Sequence, residues 1–164
     1  MLVSTKGRYA LRLMVLIARK GSEGKVSLRE ASEDEGISLK YLEQLVRPLV
    51  RAGLLRSVRG KGGGYVLAGD PGKIRAGDVL RAVEGTTAPV ACLELDVAEA
   101  CPRRAECATV GFWLGLDRVI EDYVDGVTLR DLAGPEGAGA LRKATVAQVA
   151  PAAQAAAVAQ ATGL

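Results

Sequence analysis

One glycine-rich segment constrains the fold of this chain more than any other part of its sequence. Residues 57–65 read Ser-Val-Arg-Gly-Lys-Gly-Gly-Gly-Tyr, and β-prone runs at 54–58 and 65–67 flank the glycines. Glycine reaches positive φ and carries no side chain, so four glycines together favour a sharp turn. The segment therefore predicts a β-hairpin whose tip carries the cations Arg59 and Lys61.

This hairpin is compatible with more than one function. Glycine-rich loops also bind nucleotides, but a Walker loop needs Lys and then Ser or Thr after its last Gly, and a dinucleotide site needs a helix there. Neither follows Gly64. Two alternatives remain, namely a DNA-binding wing whose glycines let the backbone approach phosphate, and an ordinary tight hairpin with solvated charges.

The residues before the hairpin favour the wing. Residues 38–52 place apolar side chains at helical spacing, with Ser38 as the N-cap and Gly53 after the last turn. Upstream, residues 27–30 have the form of a capping box that opens a shorter helix, and residues 35–37 make a tight turn between the two helices. A helix, a turn, a second helix and a basic hairpin predict a winged helix-turn-helix.

In that fold the second helix lies in the major groove with its N-terminal residues toward the base edges. The candidates for base or phosphate contact are Ser38, Lys40, Tyr41 and Gln44. Pro48 should kink or end this helix in its last turn, because it removes a backbone hydrogen bond. A support helix is expected over about residues 4–20, and Lys6 near its start is placed to contact the DNA backbone, with a solvated cationic face as the alternative.

Charge is divided unevenly along the chain. Residues 1–75 hold 15 Lys and Arg against 7 Asp and Glu, whereas residues 76–164 hold 7 against 12. A basic N-terminal half is the electrostatic footprint of nucleic-acid binding, because each neutralised phosphate releases counterions. The acidic C-terminal half argues against a protein that coats DNA along its whole length.

Composition excludes several classes of protein. No run reaches the ~18 apolar residues of a membrane span, and Arg12 and Arg19 interrupt the first apolar stretch, so neither membrane contact nor a signal peptide is expected. The protein is expected to be cytoplasmic. The chain has no His, which excludes Ser-His and Cys-His catalysis, and no enzymatic activity is expected.

A long apolar helix is predicted over about residues 105–124. It contains the only Trp and the only Phe of the chain, and it carries more apolar surface than a small domain covers alone. We interpret it as a dimerisation helix that packs on its copy, giving a two-fold dimer suited to a palindromic operator. Burial of this helix within its own monomer is the alternative.

Three cysteines lie between and beside these elements in the pattern C-x8-C-x5-C, namely Cys92, Cys101 and Cys107. Thiolates are ligands for iron-sulfur clusters and zinc, and a cluster normally needs four ligands. The close C-x2-C pairs of structural zinc are absent from the sequence. From spacing alone, incidental thiols are an equal alternative, and an odd number in a reducing compartment argues against a disulfide framework.

Three motifs, in order, resemble the Rrf2 family of bacterial winged-helix regulators. They are residues 4–10, 37–45 and 58–65. The resemblance continues through the cysteine loop and Trp113 to residues 128–132, and covers about residues 1–133. It implies a homodimeric transcription factor, and many members of the family hold an iron-sulfur cluster through three cysteines that cap the dimerisation helix.

The resemblance also implies roles for single residues. Tyr41, Glu43 and Gln44 match residues that read bases in the major groove, and Arg59 matches a wing arginine that enters the minor groove. Lys40 stands where the cluster-binding branch has a smaller polar residue, so operator preference is expected to differ.

By the same resemblance, the three cysteines match the ligands of a cluster, 2Fe-2S rather than 4Fe-4S, which can be lost on purification. The first interval holds eight residues where the cluster-binding branch holds five, and Val110 stands where that branch supplies a histidine ligand. Another branch uses an acidic residue near the N-terminus, where this chain has Arg8. The fourth ligand is unknown, with an exogenous thiol or the second subunit as possible sources. Nearby carboxylates are those of Glu94, Asp96, Glu99 and Glu106.

The predicted fold is mainly α with a small β-hairpin: a winged helix-turn-helix domain plus a long dimerisation helix. The predicted divisions are 1–84 for the DNA-binding domain, 85–107 for the cysteine loop, 105–133 for the dimerisation helix with a short following segment, and 134–164 for an Ala- and Gly-rich, disordered tail. The predicted function is a homodimeric, sequence-specific DNA-binding repressor that senses iron-sulfur or redox state. The alternatives are a cluster-free member sensing thiol oxidation or a partner protein, and an interaction module without a DNA role.

Overall fold

The computed structural model of the protein describes residues 3–21, 24–60, 62–94 and 101–135. The elements are α1 (Thr5–Arg19), α2 (Leu28–Glu35), α3 (Leu39–Arg51), β1 (Leu55–Val58), β2 (Gly64–Leu67), α4 (Ala76–Glu84), α5 (Val110–Gly126) and α6 (Leu129–Ala133). Short 3-10 turns occupy Ala91–Leu93 and Arg104–Glu106. The mainly α fold with one two-stranded hairpin is as predicted.

The first three helices begin where the sequence places hydroxyl caps. The side chains of Ser4, Ser27 and Ser38 each accept a hydrogen bond from a backbone N–H in the first turn of the helix that follows. Gly36 ends α2 with a φ of 65°, in the left-handed region that favours glycine. The predicted helix starts and the tight turn between α2 and α3 are confirmed.

Helix α3 continues past Pro48 to Arg51, so the proline does not end the helix, and the expected bend in its last turn stays a prediction. Pro48 costs this helix one backbone hydrogen bond. The buried side chains of Leu45, Val46 and Leu49 hold the same turns against the core. Packing of these side chains therefore keeps the last turn helical despite the proline.

The core of the domain draws on both ends of the described chain. Its most deeply buried side chains are Leu13, Met14, Ile17, Val26, Leu42, Leu45, Leu49, Val79 and Leu129. The backbone N–H of Leu129 donates to the carbonyl of Ile74 at 2.9 Å, and Thr128 forms a β-bridge with Arg75. The short segment predicted to follow the dimerisation helix thus belongs to the core of the winged-helix domain.

The hairpin pairs β1 with β2 in antiparallel register, from Leu55 opposite Leu67 to Val58 opposite Gly64. In its turn, Gly60 has a φ of 106°, which an L side chain rarely adopts. A Cβ on Gly64 would lie 2.5 Å from the carbonyl oxygen of Val26, where a β-bridge to Tyr65 ties the hairpin to the start of α2. The turn therefore requires glycine at position 60, and the contact with the backbone of Val26 requires it at position 64. The approach of these glycines to DNA phosphate stays a prediction.

Helix α5 begins at Val110, five residues later than predicted, so Cys107 precedes the helix. Its large apolar side chains are exposed in the monomer, with exposed fractions of 65% for Phe112, 60% for Val119 and 46% for Tyr123. Val124 is buried against the rest of the domain. Burial of the whole helix within its own monomer, the alternative considered above, does not occur.

Within the described ranges, no helix is long and apolar enough to cross a membrane. The predicted tail lies outside the described residues from position 136 onward, as do Lys61, Asp96 and Glu99.

Candidate DNA interface and cysteine loop

The first two turns of α3 present most of their predicted DNA-contacting residues to solvent. Ser38, Lys40, Glu43 and Gln44 are exposed. The Ser38 hydroxyl accepts from the Tyr41 backbone N–H at 3.3 Å, so this side chain caps the helix. Ser38 therefore has a structural role as a helix cap in addition to its predicted contact with DNA.

Lys6 lies beside α3. A small cavity of about 150 Å³ is lined by Lys6 of α1, by Tyr41, Gln44, Leu45 and Pro48 of α3, and by Val83 of α4. The structure thus brings together three residues that the sequence proposed separately for DNA contact, namely Lys6, Tyr41 and Gln44. On the wing, Arg59 is exposed.

Glu84, which the sequence did not single out, fixes the start of α1. Its Oε1 accepts hydrogen bonds from the Ser4 N–H at 3.1 Å, the Ser4 hydroxyl at 2.7 Å and the Gly7 N–H at 2.9 Å. A carboxylate at a helix N-terminus satisfies otherwise unpaired N–H groups and favours the helix dipole. The last residue of α4 therefore holds the turn of α1 that carries Lys6.

A second ionic group joins α4 to α5. The Arg81 guanidinium donates to Glu121 at 2.8 Å and to Asp125 at 2.6 Å, and these bonds raise the pKa of Arg81, with Asp125 as the largest cause. The other carboxylate oxygen of Glu121 accepts from the hydroxyl of Thr87, which is buried at the start of the cysteine loop. The carboxylate of Glu121 thus bonds to α4 and to the cysteine loop at once.

The three cysteines are unpaired thiols, and each is half-buried. Cys92 lies in the first 3-10 turn and Cys107 follows the second. The Cys107 sulfur lies 3.4 Å from the Thr109 hydroxyl, and hydrogen bonds from that side chain and from the backbone of Thr109 and Val110 lower the pKa of Cys107. The lowered pKa favours the thiolate, which is the metal-binding and nucleophilic form.

The chemistry of these thiols suits iron, but their described geometry does not assemble a metal site. In the part of the chain that the structure describes, no three Cys, Asp or Glu side chains are grouped closely enough to hold one metal ion. Of the candidate fourth ligands, Glu94 lines a cavity with Arg81 and Glu121, and Glu106 is exposed. The expected cluster site is therefore not formed by the described residues.

The domain is a helix-turn-helix followed by a basic hairpin. Its second helix exposes polar side chains, and an uncovered apolar helix follows the domain. These features are typical of a winged-helix transcriptional regulator. The family model of Rrf2, the iron-dependent transcriptional regulators, matches residues 3–135. The chain belongs to the Rrf2 family, as its three motifs predicted.

Two curated relatives illustrate the similarity. The HTH-type transcriptional regulator CymR of Bacillus subtilis is 42% identical over 133 residues, which cover 81% of this chain and 90% of that protein. The HTH-type transcriptional regulator IscR of Aliivibrio salmonicida is 41% identical over 132 residues, covering 80% and 77%. These relatives are regulators and not enzymes, and this chain is likewise a transcriptional regulator.

Solved structures share the fold. CymR, the global cysteine regulator of B. subtilis, superposes with a TM-score of 0.66 at 41% identity, over 81% of this chain and 96% of that chain. The IscR of T. potens gives a TM-score of 0.63 at 37% identity, over 80% and 85%.

Proposed function

We propose that the protein is a homodimeric, sequence-specific repressor that binds a palindromic operator and senses iron-sulfur or thiol redox state through its cysteine loop. The observation that supports this most is the meeting of Lys6, Tyr41 and Gln44 at one cavity beside the first turns of α3. That is the part of a helix-turn-helix that faces base edges. The basic N-terminal half supplies the electrostatic attraction to phosphate.

Within this proposal the exposed residues contact different parts of the DNA. Lys40, Glu43 and Gln44 contact or discriminate bases in the major groove, and Tyr41 contributes from its half-buried position. Arg59 and Lys61 on the wing reach the adjacent minor groove and its phosphates. Ser38 and Lys6 contact the backbone at the two helix N-termini.

Replacing Arg59 by Ala should weaken binding to all duplexes and reduce the salt dependence of binding. Loss of one phosphate or minor-groove contact should lower the slope of log K against log salt by about 1. Fluorescence anisotropy over a salt series measures both quantities. Arg29→Ala is the matched control, because the Arg29 side chain is 87% exposed on α2 and outside the proposed interface. Equal slopes for Arg59→Ala and the unmodified protein would exclude this contact.

Dimerisation is proposed to occur through α5. Phe112, Val119 and Tyr123 follow each other at seven and four residues, so they lie on one face of the helix. Large apolar side chains left this exposed on a helix are typical of a protein interface. A second copy of the same helix would cover them and place two recognition helices in two-fold relation.

The sensing element is proposed to be the cysteine loop, because it connects α4 of the DNA-binding domain to α5. Any group that orders this loop bears on the junction where Glu121 bonds both Arg81 and Thr87. The description of the family as iron-dependent favours an iron-sulfur cluster on Cys92, Cys101 and Cys107, with the fourth ligand still unknown. A bound cluster would supply an oxidation-sensitive link between these thiols.

The second candidate is thiol oxidation without a cluster, or sensing of a partner protein by a cluster-free protein. The absence of an assembled ligand set among the described residues favours it. The CymR of Staphylococcus aureus has been solved in an oxidised form, at 40% identity and a TM-score of 0.63 to this chain.

Anaerobic reconstitution with iron and sulfide separates these candidates. A cluster should give a brown protein whose visible absorbance disappears in air, and Cys92→Ser, Cys101→Ser and Cys107→Ser should each prevent the colour. Operator affinity should then differ between the coloured and colourless forms, since coupling requires different affinities in the two states. A colourless, iron-free product would reject the cluster. In that case, affinity changed by peroxide but not by iron would support thiol oxidation.

A further inference from the structure

Tyr9 of α1 packs directly on the recognition helix. Its ring meets the ring of Tyr41 edge to face, with centroids 5.8 Å apart and planes at 87°. Both rings are half-buried and pack against the core of the domain. Edge-to-face contact is a favoured arrangement of two aromatic rings, because the positive edge of one meets the negative face of the other.

Two arginines also lie against the ring of Tyr9. The guanidinium carbons of Arg12 and Arg8 lie 5.7 and 6.0 Å from the centre of its ring, within the range of cation–π attraction. Arg12 is itself fixed, because its Nε donates to the Glu35 carboxylate at 2.7 Å and its Nη2 donates to the Glu35 carbonyl at 2.8 Å.

These contacts form a continuous row from the turn of the helix-turn-helix to the first turns of α3. Glu35 is the last residue of α2, and Tyr41 is the third residue of α3. The ring torsion of a tyrosine is broad, so the neighbours of the ring decide its plane. The contact with Tyr9 is therefore one of the contacts that fix the plane of Tyr41, and Tyr41 shares its cavity with Lys6 and Gln44.

We propose that Tyr9 is a positioning residue that determines operator specificity: it orients Tyr41 and, through the cavity they share, the neighbouring Gln44 against the bases. The inference rests on the proposed DNA-binding function. A residue that only stabilised the fold would change affinity for all duplexes alike. A residue that orients base-reading side chains changes the ratio of affinities between duplexes of different sequence.

The test is a ratio of affinities measured by fluorescence anisotropy. Binding to the duplex that the protein enriches from a random pool is compared with binding to duplexes carrying single base-pair changes in one half-site. Tyr9→Leu, which keeps apolar bulk but loses the ring, should reduce this ratio by about five-fold or more at the positions that Tyr41 and Gln44 read, a part of what one good base contact contributes. Tyr9→Phe keeps the ring and should stay within about two-fold of the unmodified protein.

Two further variants keep the test decisive. Leu16→Ala is the matched control, because Leu16 is also half-buried on α1 and packs on the core; it should leave the ratio unchanged. Arg12→Gln, at a side chain that is 50% exposed, removes the cation without removing a core ring and should reduce the ratio in the same direction as Tyr9→Leu. An unchanged ratio in Tyr9→Leu and Arg12→Gln, or an equal loss in Leu16→Ala, would overturn the inference. Failure of the unmodified protein to enrich or bind any duplex would instead overturn the proposed function.

Discussion

If the protein forms the proposed dimer, replacing Phe112 and Val119 by Asp together should make it a monomer. Affinity for a palindromic duplex should then fall more than about 100-fold, because linkage of two half-site contacts contributes a factor of that order. The two side chains are 65% and 60% exposed in the monomer, so the change should not disturb the folded domain. In a dimer they would be covered, and two buried carboxylates facing a second copy would carry a large desolvation cost.

Sedimentation analysis of the double variant measures the change in mass directly. The matched control is Phe112→Leu with Val119→Ile, which keeps both positions apolar and should leave the protein dimeric. Far-UV circular dichroism checks that both variants keep their helices. A double Asp variant that still sediments as a dimer would show that α5 does not form the interface.

Replacing Gly64 by Ala should destabilise the domain by about 1–3 kcal/mol, the range typical of overpacking that shifts the backbone. The added Cβ would lie 2.5 Å from the Val26 carbonyl oxygen and 3.0 Å from the Ser27 nitrogen, and neither is the end of a mobile side chain. Ser27 is also the N-cap of α2. The clash therefore acts on the hairpin and on the helix-turn-helix together.

Urea unfolding followed by circular dichroism gives the free-energy difference from the shift in midpoint. Gly69→Ala is the matched control, because a Cβ there meets nothing within 4 Å and Gly69 is not among the glycines with positive φ. The free energy of unfolding of Gly69→Ala should lie within about 0.5 kcal/mol of that of the unmodified protein, as is usual for surface substitutions. Equal midpoints for the two variants would contradict the close contact between the hairpin and the start of α2.

Local features of the fold were predictable because their signals are local. Ser38 and Gly36 bound the turn before α3 through hydrogen bonds and a backbone angle that depend on a few neighbouring residues. The hairpin was equally clear from its glycines and β-prone flanks. Pro48 shows the limit, since the local rule allowed either a bend or an end to the helix, and packing on the core continues the helix past the proline.

Long-range contacts could not be predicted in the same way. The Gly7 N–H donates to Glu84 across 77 positions, and Arg81 donates to Asp125 across 44. In sequence, Glu84 and Arg81 do not differ from ordinary surface charges. Leu129 lies in a helix of five residues, which is too short to show an apolar period.

In the candidate site, too, some features follow from local sequence and others only from tertiary packing. The exposed residues of α3 follow from position in a helix-turn-helix, whereas the contact of Tyr41 with Tyr9 follows only from the packing of α1 on α3. The surroundings of the cysteines also depend on the tertiary fold. The sequence gives the order of the three cysteines, but it does not show that Glu121 accepts a hydrogen bond from Thr87 at the start of their loop.

Selection of duplexes from a random pool by the anaerobic, reduced protein shows whether it reads DNA sequence through α3. The proposed repressor should enrich a two-fold symmetric sequence, with half-sites about one helical turn or a multiple of it apart. Gln44→Ala, at an exposed position of α3, should change the enriched bases within each half-site without changing the spacing. Failure to enrich any sequence would contradict a repressor that reads its operator through α3. So would a result in which Gln44→Ala and a variant lacking both Lys40 and Glu43 enrich the same bases as the unmodified protein.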